Sequence, residues 1–391
     1  KKTNGDIWQW DKWQAGMAIV DFTNPDAISW YQGYLKELLS QGVDVFKTDF
    51  GERIPSKGVK FFDGSDPKKM HNYYTLLYNK VVTEAIADVK GEKEALVFAR
   101  SATVGSQCYP VHWGGDSSSN YSSMAETLRS GLSFGMSGFG YWSHDISGFE
   151  ASATPDLYRR WTQFGLLSSH SRYHGSTTYK VPWLYGEKSV ENTKKYTNLK
   201  LKLLPYLMAM SNEVHYHGTP ILRSMVLEFP DDPGCEDLDM QYMLGSNLLV
   251  APIFNDQGLA TFYVPKAEGT WISILAGKAY EGGKWYKEKF DDITLPLLAR
   301  PNSVIVTGRY NNETMYDYTD HPIVNVYEMK DGKISTIITN NYGEKLGTIV
   351  VEKKDGKIKA YSDVVKNFDL IIHDAGKEDQ KLSTNNGQIK N

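Results

Sequence analysis

The residues best suited to chemistry sit in two blocks, KTDFGERIP (47–55) and PVHWGGD (110–116). On a strand, residues two apart share a face, so Lys47 and Asp49 project to the same side, with Glu52 just beyond. An ammonium group beside a carboxylate keeps it ionised, which suits a nucleophile or an electrostatic stabiliser. A structural ion pair would use the same spacing. Asp116 follows two glycines, where the backbone turns tightly and leaves a carboxyl open to a ligand. Trp113 nearby would favour the protonated form that a general acid needs. The alternative for Asp116 is a turn residue capping the next helix. The two carboxylates are 67 residues apart (116 − 49) on separate strand ends. Glycoside hydrolysis uses such a pair, and Trp113 and Phe50 are rings on which a pyranose face can stack.

Other motifs carry less. His170 and His174 in HSRYH are four apart, but no Glu follows the first, so the HExxH zinc pattern fails. A hydroxyl-binding His174 is the preferred reading, and neither a metal nor an organic cofactor is expected. Gly131 to Gly135 formally matches G-x-S-x-G, yet a helix precedes Ser133 where a strand is required.

These residues need elements to hold them. Asn24-Pro25 and Asp66-Pro67 read as helix starts, with Gly42 and Gly91 as stops. Short strands are expected at 43–49, 95–100, 110–116 and 138–145, and helices near 122–132 and 155–167. Each strand ends on polar residues: Lys47 and Asp49, Arg100, His112 and Asp116, His144 and Asp145. Such loading at successive carboxyl ends favours a (β/α)8 barrel over an open sheet with one switch point. A long helix from about 191 to 217 should kink at Pro205. Beyond Pro220 the character turns to strand, with hairpin signals at Asp331-Gly332 and Asp355-Gly356. The polar tail from Gly376 is expected to fray. The aromatic clusters at 30–34 and 73–78 are expected to pack helices on the barrel.

Composition narrows the classes. With 43 basic against 47 acidic residues there is no electrostatic footprint for nucleic acid. No run of 18 apolar residues would cross a membrane, and Cys108 and Cys235 cannot staple a scaffold. Aromatic residues make up 13% of the chain, in keeping with sugar binding.

With these residues in view, the sequence resembles glycoside hydrolase family 31, in its bacterial α-xylosidase branch. The resemblance rests on WQWDKWQAGMAIVDFTNPDA (8–27), GVDVFKTDFGERIP (42–55), FFDGSDPKKMHNYY (61–74), VFARSATVGSQ (97–107), PVHWGGD (110–116), FGYWSHDISGFE (139–150) and LLSSHSRYHGS (166–176). It implies Asp49 as nucleophile at the end of barrel strand 4 and Asp116 as general acid and base after strand 6. Arg100 and His174 would bind sugar hydroxyls, Lys47, Phe50 and Trp113 would complete the wall, and Asp145 would support the site. The implied reaction is retaining, double-displacement release of α-xylose from the non-reducing end of xylosyl oligosaccharides. An α-glucosidase or transglycosidase of the same chemistry, and an inactive carbohydrate-binding fragment, are the competing readings.

Only about 40 residues precede the block that matches strand 4. The fold expected is therefore α/β: strands 4–8 of a partial barrel over residues 1–218, then two small β-sandwich domains over 219–300 and 301–391. The chain would be a portion of a larger enzyme, with an oligosaccharide or α-xyloside as substrate. A second copy and the missing N-terminal part are the compatible protein partners. The first residues show no secretory pattern, so the expected compartment is the cytoplasm.

Overall fold

The computed structural model describes residues 1–384 and 387–390. The chain divides into two compact units, Lys1–Gly115 and Asp116–Asn391.

The first unit is built on two capped helices. Asn24 accepts a hydrogen bond from the Asp26 amide and Pro25 opens α1 (Pro25–Ser40); Asp66 does the same for Lys68 at α2 (Pro67–Lys90). Helix α1 buries Leu35 and Leu39 against Val82, Ala85 and Ile86 of α2 and against Val97 and Ala99. Those last two belong to β2 (Val97–Ala99), which pairs in parallel with β1 (Phe46–Thr48). The expected strand at 110–116 is a single parallel bridge, His112 to Ala99, held by backbone bonds from Val111 to Val97 and from Trp113 to Ala99. The aromatic clusters divide. Tyr31, Tyr74 and Tyr78 pack around Phe22, whereas Trp30, Tyr34 and Tyr73 are exposed.

In the second unit, α3 (Tyr121–Met136) is capped by Asn120, whose side chain accepts from the Ser123 amide. The cap is therefore not Asp116. The strand expected at 138–145 is reduced to β3 (Asp145–Ile146), which pairs in parallel with β4 (Arg172–Tyr173) across α4 (Pro155–Leu166). The long helix is two helices, α5 (Glu187–Lys202) and α6 (Leu204–His217). Pro205 sits in the first turn of α6, where its missing N–H has no helical partner to lose. Beyond these, a six-stranded sheet spans residues 222–299, and two four-stranded sheets use strands between 303 and 390. One core runs from Met124 to Tyr327 and includes Trp161, Tyr196 and Trp271; a second lies between the two four-stranded sheets.

Asp355-Gly356 makes the expected two-residue hairpin, with Lys354 opposite Lys357 and φ of 50° and 79°. Asp331-Gly332 does not. The strand before it, 323–327, pairs in parallel with 369–373, and the strand after it joins the other sheet. Of the tail expected to fray, 380–383 and 388–390 form an edge strand of each sheet, while 385, 386 and 391 lie outside the described residues.

Candidate active site

The expected residues fall in both units. Lys47, Asp49, Phe50, Arg100 and Trp113 lie in the first; Asp116 and His174 lie in the second.

Parallel pairing of β1 and β2 sets Lys47 beside Phe98 and Thr48 beside Ala99, so the next residues, Asp49 and Arg100, emerge from the same end. Thr48 is anchored beneath them by its hydroxyl, 2.6 Å from Oδ1 of the buried Asn79. Both oxygens of Asp49 meet a cation: Oδ2 lies 3.2 Å from Lys47 Nζ, and Oδ1 lies 3.5 Å from Arg100 Nη1. Oδ1 also accepts the Phe50 amide at 2.9 Å. That geometry requires an unusual backbone, with φ of 59° at Phe50. Ser101 holds the turn by donating to the Phe50 carbonyl at 2.8 Å, and a side chain at Gly51 would collide with Ser101 Oγ.

Rings line this group. The Lys47 ammonium stands 4.7 Å from the Trp113 ring, which stacks on Phe98 at 5.1 Å. The Arg100 guanidinium lies 5.0 Å from the Phe50 ring, which Trp13 covers in parallel at 5.2 Å. Trp13 and Glu52 complete the group although sequence reasoning gave neither a role. Glu52 Oε1 lies 3.3 Å from Arg100 Nε. For Trp13 the available signal was the WQWDKW block. A cavity of about 700 Å3 in this unit, lined by Trp8, Ile19, Ile54 and Phe61, involves none of the expected site residues.

Asp116 is exposed at the start of the second unit. Its segment pairs with residues 149–150: the Phe149 and Glu150 amides donate to Ser117 O at 2.8 and 2.9 Å, and Ser119 N donates to Glu150 O at 3.0 Å. Gly148 permits this approach, because a Cβ there would sit 2.7 Å from Ser119 backbone atoms. On the other side, His174 stacks on Phe149 at 5.1 Å, and Ser176 N donates to Phe149 O at 3.0 Å. The segments bearing Asp116 and His174 thus share one support. Phe149, in SGFE, was not among the expected site residues. Asp145, expected to support the site, is fully buried and bound by Arg172. His170 and His174 flank β4 instead of lying on a helix.

Within the first unit, a carboxylate between two cations and beside aromatic rings is a group suited to chemistry at a sugar's anomeric carbon. Comparison with known proteins gives the family. The sequence profile described as the glycosyl hydrolases family 31 TIM-barrel domain matches residues 1–210, and that of the family 31 C-terminal domain matches residues 218–305. The chain belongs to glycoside hydrolase family 31. An "Alpha-xylosidase" of Emericella nidulans is 56% identical over 310 residues, which is 78% of this chain and 40% of that protein. "Alpha-xylosidase XylQ" of Lactiplantibacillus pentosus is 51% identical over 366 residues, 91% of this chain and 47% of that protein. The chain thus spans less than half the length of these two relatives. Among solved structures, a Flavobacterium johnsoniae GH31 dextranase complexed with glucose superposes with a TM-score of 0.85 at 27% identity, over 96% of this chain and 51% of that one.

Proposed function

We propose that the protein carrying this chain is a retaining α-xylosidase that removes α-xylose from the non-reducing end of xylosyl oligosaccharides. The observation that carries the reading is Asp49, its two oxygens facing Lys47 and Arg100 and its backbone turn fixed by Ser101. Two relatives more than 50% identical that bear the name α-xylosidase support the substrate class.

In this reading Asp49 attacks the anomeric carbon while protonated Asp116 gives its proton to the leaving oxygen, forming a β-xylosyl-enzyme. Water, deprotonated by Asp116, then releases α-xylose. A carboxyl separation of about 5–5.5 Å, which leaves no room for water on the attacking face, is what such double displacement requires. Arg100 and His174 hydrogen-bond the sugar hydroxyls, and Lys47, Phe50 and Trp113 wall the bound ring. Residues 1–218 are read as strands 4–8 of the barrel, and 219–300 and 301–391 as two small β-sandwich domains.

The test uses the full-length enzyme with a nitrophenyl α-xyloside. Asp49→Ala should lower turnover by about 10³-fold or more, and added azide should yield β-xylosyl azide. Wild-type turnover by the variant would overturn the nucleophile assignment. Faster hydrolysis of the matching α-glucoside by the unmodified enzyme would replace xylosidase with glucosidase.

A further inference from the structure

The loop that follows His174 carries a feature the catalytic groups do not explain. Residues 175–186 present two large rings to solvent: Tyr179 is 82% exposed and Trp183 is 69% exposed. Their surroundings are firmly held. Lys180, next to Tyr179, is buried, and its ammonium donates to Ala151 O at 2.7 Å and to Ser119 Oγ at 3.2 Å. The Lys180 carbonyl accepts the Tyr158 hydroxyl at 3.1 Å, and Thr178 Oγ1 donates to Ala151 O at 3.3 Å. Gly175 lies so close over Lys180 that a Cβ would stand 2.7 Å from Cε. Beyond, Tyr185 stacks on Tyr158 at 4.1 Å and anchors the 3₁₀ turn Pro182–Tyr185 that carries Trp183. A loop tied down at this many points, with its largest rings turned outward, leaves apolar surface in water without gaining core from it.

The ties say which side of the site the rings border. Lys180 joins the loop to Ser119, three residues beyond Asp116, and Ala151 continues the segment that pairs with 117–119. Under the proposed mechanism, on which this inference rests, Asp116 delivers its proton to the oxygen of the departing group. A loop clamped to the Asp116 segment borders the departing sugar. We infer that Tyr179 is the stacking platform for the saccharide on the leaving-group side of the scissile bond, with Trp183 extending it outward to longer chains. Flat rings on a rigid backbone suit this task, because little side-chain freedom is lost when a pyranose face settles on them.

The test is a selectivity ratio in the full-length enzyme. kcat/KM is measured for an α-xylosyl-(1→6)-glucose disaccharide and for α-xylosyl fluoride, whose leaving group has no ring to stack. Tyr179→Ala should lower the disaccharide-to-fluoride ratio about tenfold, the size of effect expected for one lost contact. Tyr179→Phe, which keeps the ring, should preserve the ratio. Trp183→Ala should lower the ratio for a longer xylosylated oligosaccharide more than for the disaccharide. A ratio that stays constant in Tyr179→Ala, whether both rates hold or both fall together, overturns the assignment. If the unmodified enzyme cleaves neither xyloside, it is the α-xylosidase reading that fails, and the inference falls with it.

Discussion

Arg172 grips one oxygen of Asp145: its Nε donates to Oδ1 at 2.8 Å, and its Nη2 stands 2.6 Å from the same atom. The two residues are register partners on β3 and β4, strands only two residues long. The Asp145 side chain has no exposed surface. A buried charge stripped of its partner is costly, so Arg172→Ala, which leaves Asp145 buried without the guanidinium, should destabilise the protein by about 3–5 kcal/mol, read as a shift in the urea midpoint. A change below about 1 kcal/mol would show that the pair is not what holds β3 to β4.

Burial sets the acid sensitivity of the same region. His144 stacks on Phe164 at 4.3 Å, and burial, aided by the positive charge of Lys200, lowers its pKa to about 3. His170 is lowered to about 4 by the same two causes. In an unfolded chain each would titrate near pH 6.5, so protons bind the unfolded state more tightly. The stability contributed by a neutral His144 is complete above about pH 6.5 and is lost progressively as the pH falls towards about 3. His144→Phe should flatten the fall in unfolding free energy between pH 6 and 4 by about 1.4 kcal/mol per pH unit, one proton's share. Parallel stability profiles for variant and parent would refute the assignment.

What the sequence disclosed follows the range over which each feature is determined. Asn24-Pro25, Asp66-Pro67 and Asp355-Gly356 act through neighbours one to three residues away, so their caps and turn were legible. Asp331-Gly332 is the same kind of dipeptide, but its preceding strand is claimed by residues 369–373, a long-range pairing that overrides a local turn preference. The two-residue strands β3 and β4 are too short to show periodicity. In G-x-S-x-G, Gly131 and Gly135 prove to be packing residues. A Cβ at Gly131 would meet Trp142 at 2.5 Å, and one at Gly135 would meet the Leu222 carbonyl at 3.2 Å. Lys47, Asp49 and Arg100 were readable because strand alternation and strand ends fix where they emerge. Trp13 and Lys180 were not, since Trp13 meets Phe50 from 37 residues away and Lys180 meets Ser119 from 61.

Glu52 offers the sharpest separation of positioning from stability. Its Oε1 sits 3.3 Å from Arg100 Nε, while Arg100 Nη1 reaches Asp49 at 3.5 Å. Glu52 thus orients the guanidinium through the edge that Asp49 does not use. Its side chain is 32% exposed, and ion pairs of that kind add little to folding. Glu52→Gln should therefore leave the urea midpoint within about 0.5 kcal/mol of the parent. The same change should lower kcat/KM on a nitrophenyl α-xyloside by about 10- to 100-fold, because a small displacement of a positioning group is amplified in the transition state. Arg100→Lys, which has no second edge for Glu52 to hold, should show a loss that Glu52→Gln deepens little further. Additive losses in the double variant would mean that Glu52 acts on the reaction by a route other than Arg100.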